Sequence, residues 1–148
     1  AKECFVLGYV IMPNHVHALL LPTKGSLNTL VGNGKRFIAY GLVDRLERSE
    51  QREILAQLKA GVQPNEAKKG KQHQVFRLSF DAKACTDEQM LEQKLDYIHH
   101  NPVSGRWSLV DDFTEYAHSS AGYYELDKDN HYITHYKDAG KYVDEVIR

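Results

Sequence analysis

Residues 9–21 read YVIMPNHVHALLL, and this stretch decides the fold. The segment Met12-Pro13-Asn14 is a turn signal between two apolar, β-branched and aromatic runs, residues 4–12 and residues 16–21. Pro22 and the Thr23-Lys24-Gly25 segment end the second run. The pattern therefore predicts an antiparallel hairpin.

His15 and His17 stand at the start of the second run. Side chains alternate between the faces of a strand, so both imidazoles leave one face, while Val16 points to the other face and helps to fill a core. The two rings could share an opening for a divalent cation. They could equally be polar residues on the solvent face of an ordinary edge strand.

Length and composition indicate a single domain over residues 1–148. A chain of 148 residues buries roughly 70% of its unfolded surface, so a bound metal would serve chemistry and not stability. Cys4 and Cys85 have no pairing pattern, and nothing resembles a signal peptide or a membrane span. We expect a reduced, cytoplasmic setting and no membrane partner.

The net charge of −1 does not by itself suggest a nucleic-acid binder. Its distribution is uneven, because residues 1–83 carry a balance of +6 and residues 84–148 a balance of −7. Such asymmetry indicates either an anionic ligand on one side or two surfaces that attract each other. Both readings stay open.

Two helices are predicted after the hairpin. Ser26 can cap a helix that runs to about Glu47, weakened or bent near Gly32-Asn33-Gly34, and residues 50–59 predict a shorter one. Residues 61–74 are polar and predict a loop that is solvated or touches phosphates. The candidate phosphate contacts on the first helix and in this loop are Lys35, Arg36, Arg45, Lys68, Lys69 and Lys71.

The chain then predicts a strand and a helix. Residues 75–84 alternate as a strand does, and Thr86 with Gln89 resembles a capping box. The helix that follows should bury Met90, Leu91, Leu95 and Ile98. It must end near Asn101, because the residue before Pro102 is steered away from helical geometry. The aromatic residues beyond it are predicted to be packing residues.

Tyr97, His100 and Asn101 share one face of this helix, whereas His99 points elsewhere. A phenol with an ordinary pKa of about 10 is a poor nucleophile, but it can attack a phosphodiester that a cation polarises. Two strand histidines and one helix residue would supply three metal ligands. The alternative is that Tyr97 is a half-buried aromatic and Asn101 a helix cap.

Two segments resemble a known family. MPNHVHALLLP at residues 12–22 resembles the His-hydrophobe-His motif of single-tyrosine HUH transposases, and DYIHHNPVSGRW at residues 96–107 resembles the tyrosine segment of REP-associated tyrosine transposases. GSLNTLVGNGKRF, VFRLSFD and HSSAGYY resemble intervening and later segments of that family. The resemblance covers about residues 5–124.

The resemblance implies a metal-dependent endonuclease and strand transferase that cuts single-stranded DNA beside hairpins through a 5′-phosphotyrosine intermediate. Tyr97 matches the nucleophile, and His15, His17 and Asn101 match the ligands of Mg²⁺ or Mn²⁺. The implied fold is α+β, a central antiparallel sheet with helices on its faces, ferredoxin-like or RRM-like. Members act as monomers or homodimers, and the resemblance leaves both open.

This chain departs from the family at three points. It starts almost at the hairpin, so we expect an N-terminal strand and helix to be missing. His118 replaces a tryptophan before Ser119, and His100 could compete with Asn101 as third ligand. Two other functions stay open: a domesticated or degenerate DNA-hairpin-binding protein without cleavage activity, and a metal-dependent hydrolase whose tyrosine only positions substrate.

Overall fold

The computed structural model describes residues 4–77 and 80–147 and shows an α+β chain with a two-stranded antiparallel sheet. The chain divides into two compact units, described separately below. The hairpin unit comprises residues 1–25 and 84–148, and the helical unit comprises Ser26–Lys83. The single HUH-type domain over residues 1–148 stays a prediction.

The elements follow the chain in a simple order. The strands are β1 (Cys4–Ile11) and β2 (Val16–Pro22). The helices are α1 (Leu27–Arg48), α2 (Arg52–Ala60), α3 (Pro64–Ala67), α4 (Glu88–His100), α5 (Ala121–Leu126) and α6 (Tyr136–Ile147). Two short 3₁₀ turns, Asn101–Val103 and Phe113–Glu115, lie between α4 and α5.

The predicted hairpin is confirmed. β1 pairs antiparallel with β2 from Cys4 opposite Pro22 to Ile11 opposite Val16, and the backbone N–H of Met12 donates to the carbonyl of His15 across the turn. A bulge between Val6 and Gly8 shifts the register. A bulge reverses the alternation of side chains. In β1 the odd-numbered positions are therefore buried before the bulge and the even-numbered positions after it.

Helix α4 packs on the hairpin and forms the main core. Leu95 and Ile98, one helical turn apart, join Val10 and Met12 in one buried cluster. A second cluster contains Phe5, Leu7 and Ala139. The predicted burial of Leu95 and Ile98 is confirmed, whereas Met90 and Leu91 are only half-buried. Trp107, Tyr116, Tyr124 and Tyr136 pack against the first cluster, which confirms the predicted packing role for these four, whereas Tyr132 is 70% exposed and the prediction is wrong there.

The second edge of β1 is occupied by backbone from the end of the chain. The N–H of Ile11 donates to the carbonyl of His118 at 2.8 Å, the N–H of Ser120 donates to the carbonyl of Tyr9 at 2.9 Å, and that of Thr134 donates to Val6 at 3.0 Å. The contacts with Ser119 and Ile133 are single bridges and form no strand. Backbone hydrogen bonds therefore occupy both edges of β1.

The helical unit begins as predicted. Oγ of Ser26 accepts from the N–H of Thr29 and caps α1, which continues through Gly32 and Gly34 without interruption. α2 lies close to its predicted range, and α3 is a single turn within the predicted loop. The N–H of Gln74 donates to the carbonyl of Leu58, so the end of this loop folds back onto α2.

Two predictions of local structure are wrong. Residues 75–77 and 80–84 form no strand, and residues 78–79 lie outside the described part of the chain. The cap of α4 is Asp87 and not Thr86, because the Asp87 carboxylate accepts from the N–H of Met90 at 2.7 Å. A carboxylate at this position also interacts favourably with the helix dipole.

No helix among residues 4–77 and 80–147 is long and apolar enough to cross a membrane.

Candidate functional site

The two histidines lie side by side at the open end of the hairpin. His15 immediately precedes β2, and His17 stands in β2 opposite Val10. Their ring centroids are 4.9 Å apart with an interplanar angle of 80°. Both side chains are half-buried. The extended backbone therefore places the imidazoles on one face, as the spacing predicts.

The prediction that the core lies on the face opposite the two histidines is wrong. Val16 is exposed, whereas Leu19, on the same face as His17, packs against both buried clusters. The reason is that α4 covers the histidine face of the sheet. Apolar residues fill the interior of that face, and the histidines stand at its margin, close to the C-terminal end of α4.

Tyr97 meets the histidines from α4. Its ring centroid lies 5.8 Å from that of His17, at an interplanar angle of 71°, and its side chain is 59% exposed. The neighbouring Ile98 is buried, so Tyr97 stands at the rim of the helix–sheet contact. The structure thus brings together three of the predicted site residues and leaves the phenol open to a large ligand.

Asn101 is both a helix cap and a neighbour of Tyr97. Its Nδ2 donates to the backbone carbonyl of Tyr97 at 3.0 Å, so Oδ1 is the remaining donor atom for a cation. His100, the competing ligand, is oriented by contacts with its own helix and with Phe113. Its Nδ1 donates to the carbonyl of Asp96 at 2.9 Å, and its ring lies 3.9 Å from that of Phe113.

The chemistry of these side chains suits a divalent cation. Nδ1 of His15 donates to Oδ1 of Asn14 at 2.6 Å, which leaves Nε2 as the free ring nitrogen. Burial lowers the pKa of His17, and the adjacent His15 lowers it further. A lowered pKa favours the neutral imidazole, which is the form that binds metal.

The described residues do not provide a complete protein cage. Within residues 4–77 and 80–147, no group of three His, Cys, Asp or Glu side chains is placed to hold a metal ion. Two imidazoles and an amide oxygen would therefore be the contribution of the chain, with other positions left to water or substrate.

Two neighbours of the site were not predicted from the sequence. The Lys94 ammonium lies 5.9 Å from the Tyr97 ring centroid, and the Trp107 ring lies 6.4 Å from that of His15. The spacing of three residues between Lys94 and Tyr97 on one helix could have indicated the first contact.

His99 is buried, and its Nε2 lies 2.8 Å from Oγ of Ser120.

His99 and Ser120 join α4 to β1. Oγ of Ser120 accepts from the backbone N–H of Tyr9 at 2.9 Å, so the serine bridges the helix histidine and the strand. Burial, with a smaller contribution from His100, lowers the pKa of His99 to about 4. This contact fixes the helix that carries Tyr97.

The predicted phosphate contacts lie in the helical unit. Lys35 is half-buried and donates to the carbonyl of Arg77, while Arg36 and Arg45 are exposed. In the loop, Lys69 and Lys71 lie 3.5 and 3.7 Å from the Glu66 carboxylate, and Lys68 is exposed. These lysines are thus partly neutralised, which the sequence spacing did not indicate.

Comparisons with protein families, curated proteins and solved structures find no match to this chain. The site is therefore defined by the geometry of its own residues.

Proposed function

We propose that this protein is a metal-dependent endonuclease and strand transferase that cuts single-stranded DNA next to hairpins. The observation that supports this most is the proximity of His17 and Tyr97, whose ring centroids are 5.8 Å apart although the residues lie on different elements. A structural tyrosine would gain from burial, whereas this one is exposed beside the paired rings of His15 and His17.

The proposed reaction is a phosphoryl transfer to tyrosine. Oη of Tyr97 attacks the scissile phosphorus and loses its proton to solvent, while the bond from phosphorus to the 3′ oxygen breaks. The DNA is left as a 5′-phosphotyrosine and a free 3′-hydroxyl, and attack by a second 3′-hydroxyl reverses the step. Mg²⁺ or Mn²⁺, held by His15, His17 and Asn101, would polarise the phosphate and stabilise the developing charge.

The finer description of the fold belongs to the same proposal. We place the α+β chain in the ferredoxin-like HUH class, with hairpin DNA as partner and with either one or two copies in the active form. A cytoplasmic setting, in which Cys4 and Cys85 stay reduced, accompanies it. Among the described residues the sheet has two strands.

A covalent-adduct assay tests the proposal. Wild-type protein incubated with labelled single-stranded hairpin DNA and Mn²⁺ should give a labelled band of protein size that resists denaturation. Tyr97→Phe and His17→Ala should abolish this band, because they remove the nucleophile and a metal ligand. Addition of a chelator should have the same effect as His17→Ala.

The matched control is Tyr132→Phe. Tyr132 is also exposed and lies against a histidine, with its ring centroid 3.9 Å from that of His131. Its replacement should leave the adduct intact. An adduct that persists in Tyr97→Phe removes Tyr97 from the role. DNA binding without any adduct, unaffected by chelator, would identify a hairpin-binding protein that does not cut.

A further inference from the structure

The outward face of α1 exposes two aromatic rings. Phe37 and Tyr40 are 65% and 64% exposed and lie one helical turn apart, so they form one continuous surface. Ala39 and Leu46, on the other side of the helix, are half-buried. No residue of α1 is fully buried, so packing within the helical unit leaves both rings available to a ligand.

Helix α1 has a net positive charge. The Arg36 guanidinium lies 5.1 Å from the Phe37 ring centroid, and α1 carries four Lys and Arg against two acidic residues. One of the two, Asp44, lies one turn beyond Tyr40 and pairs with Arg48 at 3.1 Å. The whole helical unit carries 11 Lys and Arg against 6 Asp and Glu, a balance of +5. The hairpin unit, which holds His15, His17 and Tyr97, has a balance of −6. An anionic ligand of this protein would therefore be attracted mainly by the helical unit.

We propose that Arg36, Phe37 and Tyr40 form a stacking surface for the unpaired bases of single-stranded DNA. Aromatic rings stack on any base, and adjacent cationic groups contact the phosphates, which is the usual composition of surfaces that bind single strands without reading sequence. The inference rests on the proposed function and adds to it the surface of the protein that holds the unpaired strand.

A second copy of this chain is the other candidate for this surface. A twofold contact centred on the two rings would bring together two copies of α1, each with a net charge of +2. Like-charge repulsion disfavours such a contact, whereas a polyanion is attracted by the same charges. Charge complementarity thus favours DNA.

The test compares a normal single strand with one that lacks bases. Labelled 20-nucleotide oligothymidylate and an abasic strand of equal length are titrated with the full chain in EDTA, and binding is followed by fluorescence anisotropy. The double substitution Phe37→Ala with Tyr40→Ala should weaken binding of oligothymidylate by about tenfold or more, since each stacked ring contributes about 1–3 kcal/mol. Binding of the abasic strand should change by less than about twofold.

Two variants complete the design. Phe37→Trp with Tyr40→Trp should retain the affinity for oligothymidylate, because the larger rings still stack. Ile38→Ala, which removes an exposed aliphatic side chain from the same helix, should have no effect on either strand.

Three results would overturn the inference: an equal loss on both strands, no loss on either, or conversion of a dimer to a monomer by the double alanine variant. If the double alanine variant still forms the adduct and binds DNA with wild-type affinity, only the stacking surface is refuted. Wild-type protein that binds no strand and forms no adduct would refute both proposals.

Discussion

Substitution of Gly8 by alanine should loosen the helix that carries Tyr97. Gly8 lies in β1 directly beneath α4, and a Cβ atom added there would stand 2.4 Å from Cδ2 of Leu95. Ser120 and Ile98 would be the next neighbours, at 3.4 and 3.6 Å. Carbon atoms pack at about 3.5–4.0 Å, so the Leu95 contact would be too short by more than about 1 Å.

The magnitude follows from the burial of Leu95. This side chain is only 6% exposed and belongs to the main core cluster, so it cannot move into solvent. Overpacking of this kind costs about 1–3 kcal/mol of the free energy of unfolding. If α4 instead moves away from the sheet, Tyr97 moves away from His17, and adduct formation should fall together with stability.

Urea unfolding followed by tryptophan fluorescence measures this cost. Trp107 is the only tryptophan and packs against the core cluster that contains Leu95, so its emission reports on the hairpin unit. In a Leu95→Ala background the added methyl group has room. In that background the loss of unfolding free energy caused by Gly8→Ala should be at least about 0.5 kcal/mol smaller than in wild type. A double-mutant cycle detects this difference.

Gly32→Ala is the control, because its Cβ meets nothing within 4 Å. At that helix-interior position alanine should not destabilise the protein. An equal cost of Gly8→Ala in both backgrounds, or a cost below about 0.5 kcal/mol in wild type, would refute the close-approach argument.

Because burial lowers the pKa of His99 to about 4, the folded state binds fewer protons than the unfolded one, and unfolding free energy should fall by up to roughly 3 kcal/mol as pH drops from about 6.5 towards 4, measured by urea titration. Asp87→Ala should lower the free energy of unfolding, measured in the same way, by about 1 kcal/mol. Thr86→Ala should lower it by less than about 0.5 kcal/mol, because only Asp87 caps α4. Replacing the three loop lysines with glutamine should lower the logarithmic salt slope of DNA binding by less than the value of about 2 expected for three unpaired lysines, because the Glu66 carboxylate already neutralises part of their charge.

Each of these has its own control. His99→Gln should flatten the decline of stability between pH 6.5 and pH 4, and an unchanged decline would show that other groups cause it. Equal losses for Asp87→Ala and Thr86→Ala would contradict the assignment of the cap. Glu66→Gln should steepen the salt slope, and a slope that stays constant in every loop variant would make this segment a spacer.

Local signals in the sequence predicted the elements that depend on neighbouring residues. The turn at Met12-Pro13-Asn14 defined the hairpin, and Ser26 defined the start of α1. Turn formation and capping act over a few residues, so a single sequence displays them. The predicted end of α4 near Asn101 is also confirmed, but its predicted reason is wrong, because Asn101 keeps right-handed helical geometry with φ −52° and ψ −43°. The shared face of His15 and His17 is also a local property, since it follows from the alternation of an extended backbone.

Tertiary structure alone decided the rest, because it depends on which surfaces meet. The alternating pattern of residues 75–84 predicts a strand, but residues 75–77 and 80–84 form none, because a strand also needs a pairing partner and a local pattern does not supply one. The docking of α4 on the histidine face made that face the core and left Val16 exposed. The same docking brought Tyr97 to His17, a proximity that no spacing along the chain contains, because it arises from the packing of a helix on a sheet.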